Sequence, residues 1–416
     1  MTKELHDKYP ALYGKNVDVE EMDARFASLI SDHKDLFGKS DPLVFSAAGR
    51  TEIAGNHTDH NQGKVIGAAI NLDTIAAVSA RDDSLVTFVS QGFPKCTIDI
   101  SDLEIKEEEK NTTASLLRGI ARAFKDRNID IKGWDANVTS KVLRGSGLSS
   151  SASVEVLIAE IFNYLYASDS LSPVELSIIG QYAENVYFGK PSGLLDQISC
   201  ANGGIVGIDF QDKKNPKVEA IDFDFSAFDL DMVITDTRGC HADLTDEYAA
   251  VPPEMKAVAG FYGKENLREV EFQDFLRDIR KIRETLHNDR ALLRAYHFFK
   301  ENERVSYILS NLKNEDIDTF LYNVQESGNS SFRFLQNVYP SSEPHEQGVS
   351  LALAVSEEIL DGEGASRVHG GGFAGTIQAY VPVRLREKYI KAMENLFGEG
   401  CSTVIAIRSL PVGRVL

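Results

Sequence analysis

Gly145-Ser146-Gly147-Leu148-Ser149-Ser150-Ser151-Ala152-Ser153 joins two patterned segments. Before it, residues 134–141 (WDANVTSK) alternate as a strand does. After it, Val154, Leu157, Ile158, Ile161, Phe162 and Leu165 recur at helical spacing, the stripe of a helix packed on a core. Glycines between a strand and a helix let the backbone turn tightly and approach a ligand. Small hydroxyl residues then open the helix, whose leading N–H groups and dipole favour an anion. Two readings stay open for these residues, a Ser-rich helix cap and a phosphate cradle. The stretch is not a Walker A loop, because no Gly-Lys-Ser/Thr closes it. It is not a dinucleotide turn either, because the third Gly of G-x-G-x-x-G is absent.

Working outward, residues 74–80 (TIAAVSA) and 85–90 (LVTFVS) are apolar, β-branched and separated by Arg81-Asp82-Asp83-Ser84, so they read as a strand pair with a tight turn. Ser172-Pro173-Val174-Glu175 marks a helix start, with a capping Ser, Pro in the first turn and Glu three residues after the cap. Leu176, Ile179, Ala183 and Val186 carry its stripe on, and Pro191 ends it. Residues 205–210, 231–235, 377–382 and 403–407 read as strands, and residues 263–325 and 384–397 as helical. Strands and helices mix without a regular βαβ series, which is the α+β class. The polar stretch 211–216 (QDKKNP) falls where a boundary would divide the chain into domains at 1–212 and 213–416.

The composition narrows the partners. Of 416 residues, 44 are Lys or Arg and 63 Asp or Glu, a net charge of −19 with no basic block, which disfavours nucleic acid and anionic membranes. A polyanion such as ATP would therefore need a locally positive site or one built from backbone amides. No run of some eighteen apolar residues occurs and the start is polar, so neither a membrane span nor a secretory signal is expected. Cys96, Cys200, Cys240 and Cys401 are scattered and form no zinc-spaced set, which suits a reducing cytoplasm.

Three more stretches gather chemistry. Residues 49–63 (GRTEIAGNHTDHNQG) bring Arg50, Asn56, His57, Asp59 and His60 within eleven positions. No third and fourth ligand follow at metal spacing, whereas a dense set of donors and acceptors suits a sugar. The alternative is a turn-rich loop capping its own backbone. Residues 189–197 (GKPSGLLDQ) place Asp196 after a Pro/Gly turn. Residues 367–375 (RVHGGGFAG) put four glycines in six positions, either a bulge or a close approach to a ligand.

Together these stretches resemble the galactokinases, members of the superfamily of galacto-, homoserine, mevalonate and phosphomevalonate kinases (GHMP). The family signature G-R-V-N-L-I-G-E-H-T-D-Y-N-G-G is similar to residues 49–63, its phosphate loop G-G-G-L-S-S-S-A-S to residues 145–153, and its A-E … G-x-P-x-G-x-x-D-Q segment to Ala183-Glu184 and 189–197. Its G-G-G-F-G-G motif is similar to residues 370–375. The four occur in order over nearly the whole chain. The resemblance implies a two-domain GHMP kinase fold, with a mixed-sheet N-terminal domain, a ferredoxin-like C-terminal domain and the active site in the cleft between them. It implies an ATP-dependent sugar 1-kinase acting, with Mg²⁺, on galactose, so the expected partners are small molecules. A cytoplasmic location is expected from the cysteines, and the sequence does not give the oligomeric state, for which a monomer is the expectation. The rival readings are a kinase for arabinose or N-acetylgalactosamine and a non-catalytic sugar-and-ATP sensor.

By the same resemblance Asp196 and Arg50 are catalytic. Asn56, His57, Asp59, Gly193 and Tyr248 contact the sugar. Gly145, Ser146, Gly147, Leu148, Ser149, Ser150, Ser151 and Ala152 hold ATP, and Ser151 and Glu184 surround Mg²⁺. The chain departs from the pattern at five positions: Asn56 stands for Glu, Glu52 for Asn, His60 for Tyr, His369 for Thr and Ala374 for Gly. The family's Glu touches a sugar hydroxyl, so Asn56 is expected to retune sugar recognition from the same place.

Overall fold

The computed structural model describes residues 1–142, 147–239, 245–373 and 375–416. Gly145, Ser146, Cys240 and Ala374 lie outside the described residues. Twelve strands among those described form two sheets. They are β1 (Leu43–Ala54), β2 (Lys64–Ala80), β3 (Leu85–Ser90), β4 (Cys96–Asp99), β5 (Trp134–Ser140), β6 (Ile205–Asp209), β7 (Lys217–Ile221), β8 (Leu230–Asp236), β9 (Ala365–Val368), β10 (Thr376–Pro382), β11 (Ser402–Ile405) and β12 (Gly413–Arg414).

The first sheet runs β12-β1-β2-β5-β3-β4, and β6 and β7 continue it from the opening residues of β2. On one face the helices Thr113–Asp126, Ser150–Tyr166 and Pro173–Tyr182 pack against Phe45, Val86 and Trp134. On the other face Lys3–Tyr13 and Val19–Phe37 cover Val44, Ile75 and Ala77. Both faces are covered at the centre, so β1 and β2 are buried over nearly their whole length rather than on alternate residues.

The expected pairing of residues 74–80 with 85–90 does not occur. β5 lies between β2 and β3, antiparallel to β2 and parallel to β3. Gly133 makes the insertion possible: a Cβ there would stand 2.0 Å from the Leu85 carbonyl oxygen, and its N–H donates to the Asp83 carbonyl at 2.7 Å. Trp134 follows directly and is fully buried, so burial of a large indole outweighs the local turn preference. The stretch 211–216 is likewise the loop of the β6–β7 hairpin, and both strands belong to the first sheet. The C-terminal residues also return to that sheet, where β12 pairs with β1 and Arg408 is buried against Ser46.

The second sheet is fully antiparallel in the order β11-β8-β10-β9. Numbered within its own domain that is 4-1-3-2, with helices between strands 1 and 2 and between 3 and 4, the ferredoxin-like arrangement. An apolar layer joins the two halves, running from Ile53, Ile66, Val142 and Leu148 to Met232, Ile234 and Tyr380. Among the described residues no helix is long and apolar enough to cross a membrane.

Candidate active site

β1 and β2 slip register between Ala48 and Gly49, and the bend leaves Arg50 facing the turn at Gly147 and Leu148. A Cβ on Gly49 would lie 3.0 Å from the Leu148 carbonyl, so glycine lets the turn at Gly147 and Leu148 close on the strand. The Arg50 N–H donates to Leu148 O at 3.0 Å, and its guanidinium donates to Gly147 O and, at 2.8 Å, to Asp196 Oδ1. Asp196 stands in the first turn of the helix Leu195–Asn202, and Ser149 Oγ donates to its other oxygen. Burial works to raise the Asp196 carboxyl, but the Arg50 charge and the hydrogen bonds from Ser149 and Arg50 outweigh it and hold the group below its usual value.

Ser149 is the N-cap residue of the helix Ser150–Tyr166, in the left-handed region at φ 57°, and its hydroxyl makes no cap bond to its own helix. At Ser149 the helix-cap reading therefore does not hold: the side chain serves Asp196 rather than the helix end. Ser151, one residue inside, is exposed, and Ala152 is buried beneath it.

The helix begun at Ser172 carries its expected capping box, but its last turns, Ala183–Phe188, widen into a π-helix closed by Gly189 at φ 89°. The widened turns include Glu184, which is buried. Glu184 Oε1 accepts from Lys190 Nζ at 2.9 Å, and its Oε2 accepts from Ser192 Oγ and from Gln197 Nε2 at 3.0 Å. The same Gln197 amide donates to Glu155 at 2.9 Å. Burial first, and then the Glu184 charge, push the Glu155 carboxyl up. Ser151 and Glu155 are four apart on one helix and so share a face, which brings Ser151 to the side of the site where Glu184 lies.

The remaining groups surround the glycine loop after β9. His57 Nε2 donates to Gly371 O at 3.0 Å. Burial first, and then His60, push His57 down to about 4, so at pH 7 the ring is neutral and its Nδ1 is left as an acceptor. Tyr248 OH donates to Gly372 O at 2.8 Å, and a Cβ on Gly371 would stand 2.2 Å from its ring. A Cβ on Gly372 would stand 2.1 Å from the Asn337 carbonyl oxygen. These glycines thus admit a tyrosine ring and a backbone carbonyl. Asp59 Oδ2 lies 2.4 Å from where a Gly193 Cβ would be, so these two expected sugar contacts do meet. Gly193→Ala should push Asp59 aside and raise the KM for sugar about tenfold, near 1.4 kcal/mol, with the KM for ATP little changed. Steady-state kinetics with both substrates tests this, and an unchanged sugar KM would place Asp59 outside the pocket.

Asn56 is not free to face a sugar. It is 1% exposed, and its amide nitrogen donates to Glu52 Oε1 at 3.0 Å and Gly370 O at 2.6 Å. Its oxygen accepts from Asn337 Nδ2 at 2.7 Å. The side chain ties β1 to the glycine loop, and its amide can do so because it both donates and accepts. Glu52, Arg367, His369 and Asn337 complete this layer. Arg367 is fully buried and pairs with Glu52 at 2.9 Å. His369 Nε2 accepts from the Glu52 N–H at 3.3 Å and its Nδ1 donates to Thr376 Oγ1 at 3.1 Å, a neutral ring that burial holds well below its ordinary value. Glu52 and His369 showed in the sequence only as departures from a pattern. Arg367 showed only as the first residue of the glycine-rich stretch, and nothing local marked Asn337, whose partner Asn56 lies 281 positions away.

Comparison with known proteins agrees with this geometry. A galactokinase galactose-binding signature matches residues 31–80, and the GHMP kinases N terminal domain matches residues 115–204. A galactokinase of Streptomyces coelicolor is 29% identical over 364 residues, 88% of this chain and 91% of that protein. The structure of Lactococcus lactis galactokinase complexed with galactose is similar in fold, with a TM-score of 0.80 at 22% identity, over 94% of this chain and all of that one. Mevalonate kinase of Methanococcus jannaschii follows at a TM-score of 0.63 and 14% identity, over 89% and 99%. Both family signatures are in place, Arg50 of the first meets Asp196 of the second beside the turn at Gly147, and over most of its length the chain is similar to the galactokinases among the GHMP kinases.

Proposed function

We propose that the chain transfers the γ-phosphoryl group of ATP to the anomeric hydroxyl of a hexose, galactose, giving the sugar 1-phosphate and ADP. The observation that carries this reading is the Asp196–Arg50 pair, set beside the turn that opens the helix Ser150–Tyr166. The sugar hydroxyl oxygen bonds to the γ-phosphorus, the bond from that phosphorus to ADP breaks, and the hydroxyl proton passes to Asp196. A carboxylate held low is a weak base, which suits a loose transition state in which the proton leaves late. Arg50 faces the charge that builds on the transferred group. The galactose-binding signature over Arg50, His57 and Asp59 supports galactose as the sugar, as does the galactose in the Lactococcus lactis complex.

The residues present fit a magnesium ion carried by the nucleotide. Ser151 and Glu184 offer hard oxygens, and the buried Glu155 Oε1 and Gln197 Oε1 behind them have no hydrogen-bond partner. Among the described residues no three His, Cys, Asp or Glu side chains group as a metal cage, so such an ion would take most of its ligands from phosphate and water. Bound there, Mg²⁺ would neutralise charge on the phosphates.

One observation favours a second reading, a kinase for arabinose or N-acetylgalactosamine: position 56 offers a sugar no carboxylate, and its amide is engaged within the protein. A coupled ADP-release assay over galactose, arabinose, N-acetylgalactosamine and glucose tests both. Fastest turnover with galactose is expected. Fastest turnover with another sugar would move the assignment, and galactose binding without ADP release would make the chain a sensor.

A further inference from the structure

Lys190 has no place in the reaction described so far. Its ammonium sits 2.9 Å from Glu184, yet the Lys190 side chain is 58% exposed where that of Glu184 is 3% exposed. Glu184 lies against Glu155, with one amide, Gln197 Nε2, shared between the two carboxyls. With Glu155 pushed toward its protonated form, the charge of this buried pair rests on Glu184, and a buried carboxylate is stabilised by a cation beside it. Lys190 is that cation, and the fields of Asp196 and Glu155 act on it as well. The lysine stem is long and open to solvent, so its head can leave Glu184 without backbone movement. A second lysine, Lys110, flanks the same turn, its side chain 3.8 Å from where a Gly189 Cβ would be. Lys110 is paired with Glu107 at 2.6 Å, so Lys190 is the lysine of this rim that faces the buried carboxylates, in a chain of net charge −19 where a nucleotide requires local positive charge.

We propose that Lys190 is a resident counter-ion: it holds Glu184 while the protein is free of metal, and exchanges Glu184 for the nucleotide phosphates when a divalent cation arrives with them. The inference rests on the kinase reading. Lys190 is then a positioning residue that couples metal binding to nucleotide binding. Removing the ammonium shifts the two affinities in opposite directions, which a merely structural role would not do.

The test is calorimetric titration of wild type and Lys190→Met with Mn²⁺ alone and with the magnesium complex of a non-hydrolysable ATP analogue. Lys190→Met should bind Mn²⁺ alone about fivefold more tightly, its competitor being gone, and the nucleotide complex about fivefold more weakly, the size expected of a half-exposed ion pair. Lys190→Arg should return both values toward wild type. A wild type that binds the nucleotide complex, with Lys190→Met matching it in both titrations or weakened in both, overturns this inference alone. A wild type that binds no nucleotide overturns the kinase reading and this inference with it.

Discussion

Replacing Asp196 by Asn should stop turnover and leave the fold in place. The amide is nearly isosteric, and its oxygen can still accept from Arg50 as the carboxylate does at 2.8 Å. It cannot take the sugar's proton, and it no longer balances the Arg50 charge. Loss of a positioned base costs about 10² to 10⁴ in rate. Single-turnover phosphoryl transfer measures the loss, and circular dichroism checks the fold. A variant with a near-wild-type rate would remove Asp196 from the mechanism. The pH dependence follows from the same contacts. Asp196 is held below its ordinary 3.8, so its protonation should not limit the wild-type rate at any pH where the protein is folded and above about 4.

The second large effect is on stability. Glu301, fully buried in the helix Asp289–Lys313, accepts from the Gly55 N–H at 3.0 Å, from Ser327 Oγ and from Arg304. It therefore pins the start of the His57–Asp59 loop to the C-terminal helices. Glu301→Ala leaves these donors without their acceptor and should cost about 3–5 kcal/mol at pH 7, read from urea denaturation. Burial alone would raise this carboxyl, but Arg304 above all, then His297 and Arg367, bring it down to about 2. A folded value below the ordinary 4.5 means that the stabilisation is fully present above about pH 4.5 and is lost as the pH falls toward 2. The gap between wild type and variant should therefore narrow from pH 5 to pH 3. Equal stability at pH 7 would show that Glu301 does not anchor the loop.

Local chemistry was legible wherever a residue's role depends on its neighbours in the chain. The Ser172–Glu175 capping box, the stripe from Val154 to Leu165 and the strands at β5, β6, β8 and β10 all satisfy nearby backbone or present one face. Asp196 was conspicuous only through the Gly/Pro turn before it. Its pairing with Arg50, 146 positions away, became an expectation through resemblance to a known pattern, not through anything in either segment.

What the sequence by itself determined is the set of elements and the chemistry brought near them: α+β class, a helix opened by hydroxyl residues, and an acidic chain that needs local positive charge for any polyanion. Tertiary structure alone decided who pairs with whom. β5 displaced the nearer hairpin partner because Trp134 had to be buried, and β12 closed the first sheet from the far end of the chain. It also decided that Asn56 faces Glu52, Gly370 and Asn337 rather than open space. The physical reason is the same in each case. Period and capping are properties of a few consecutive residues, whereas burial and the pairing of buried charges are settled among groups that only the folded chain brings together.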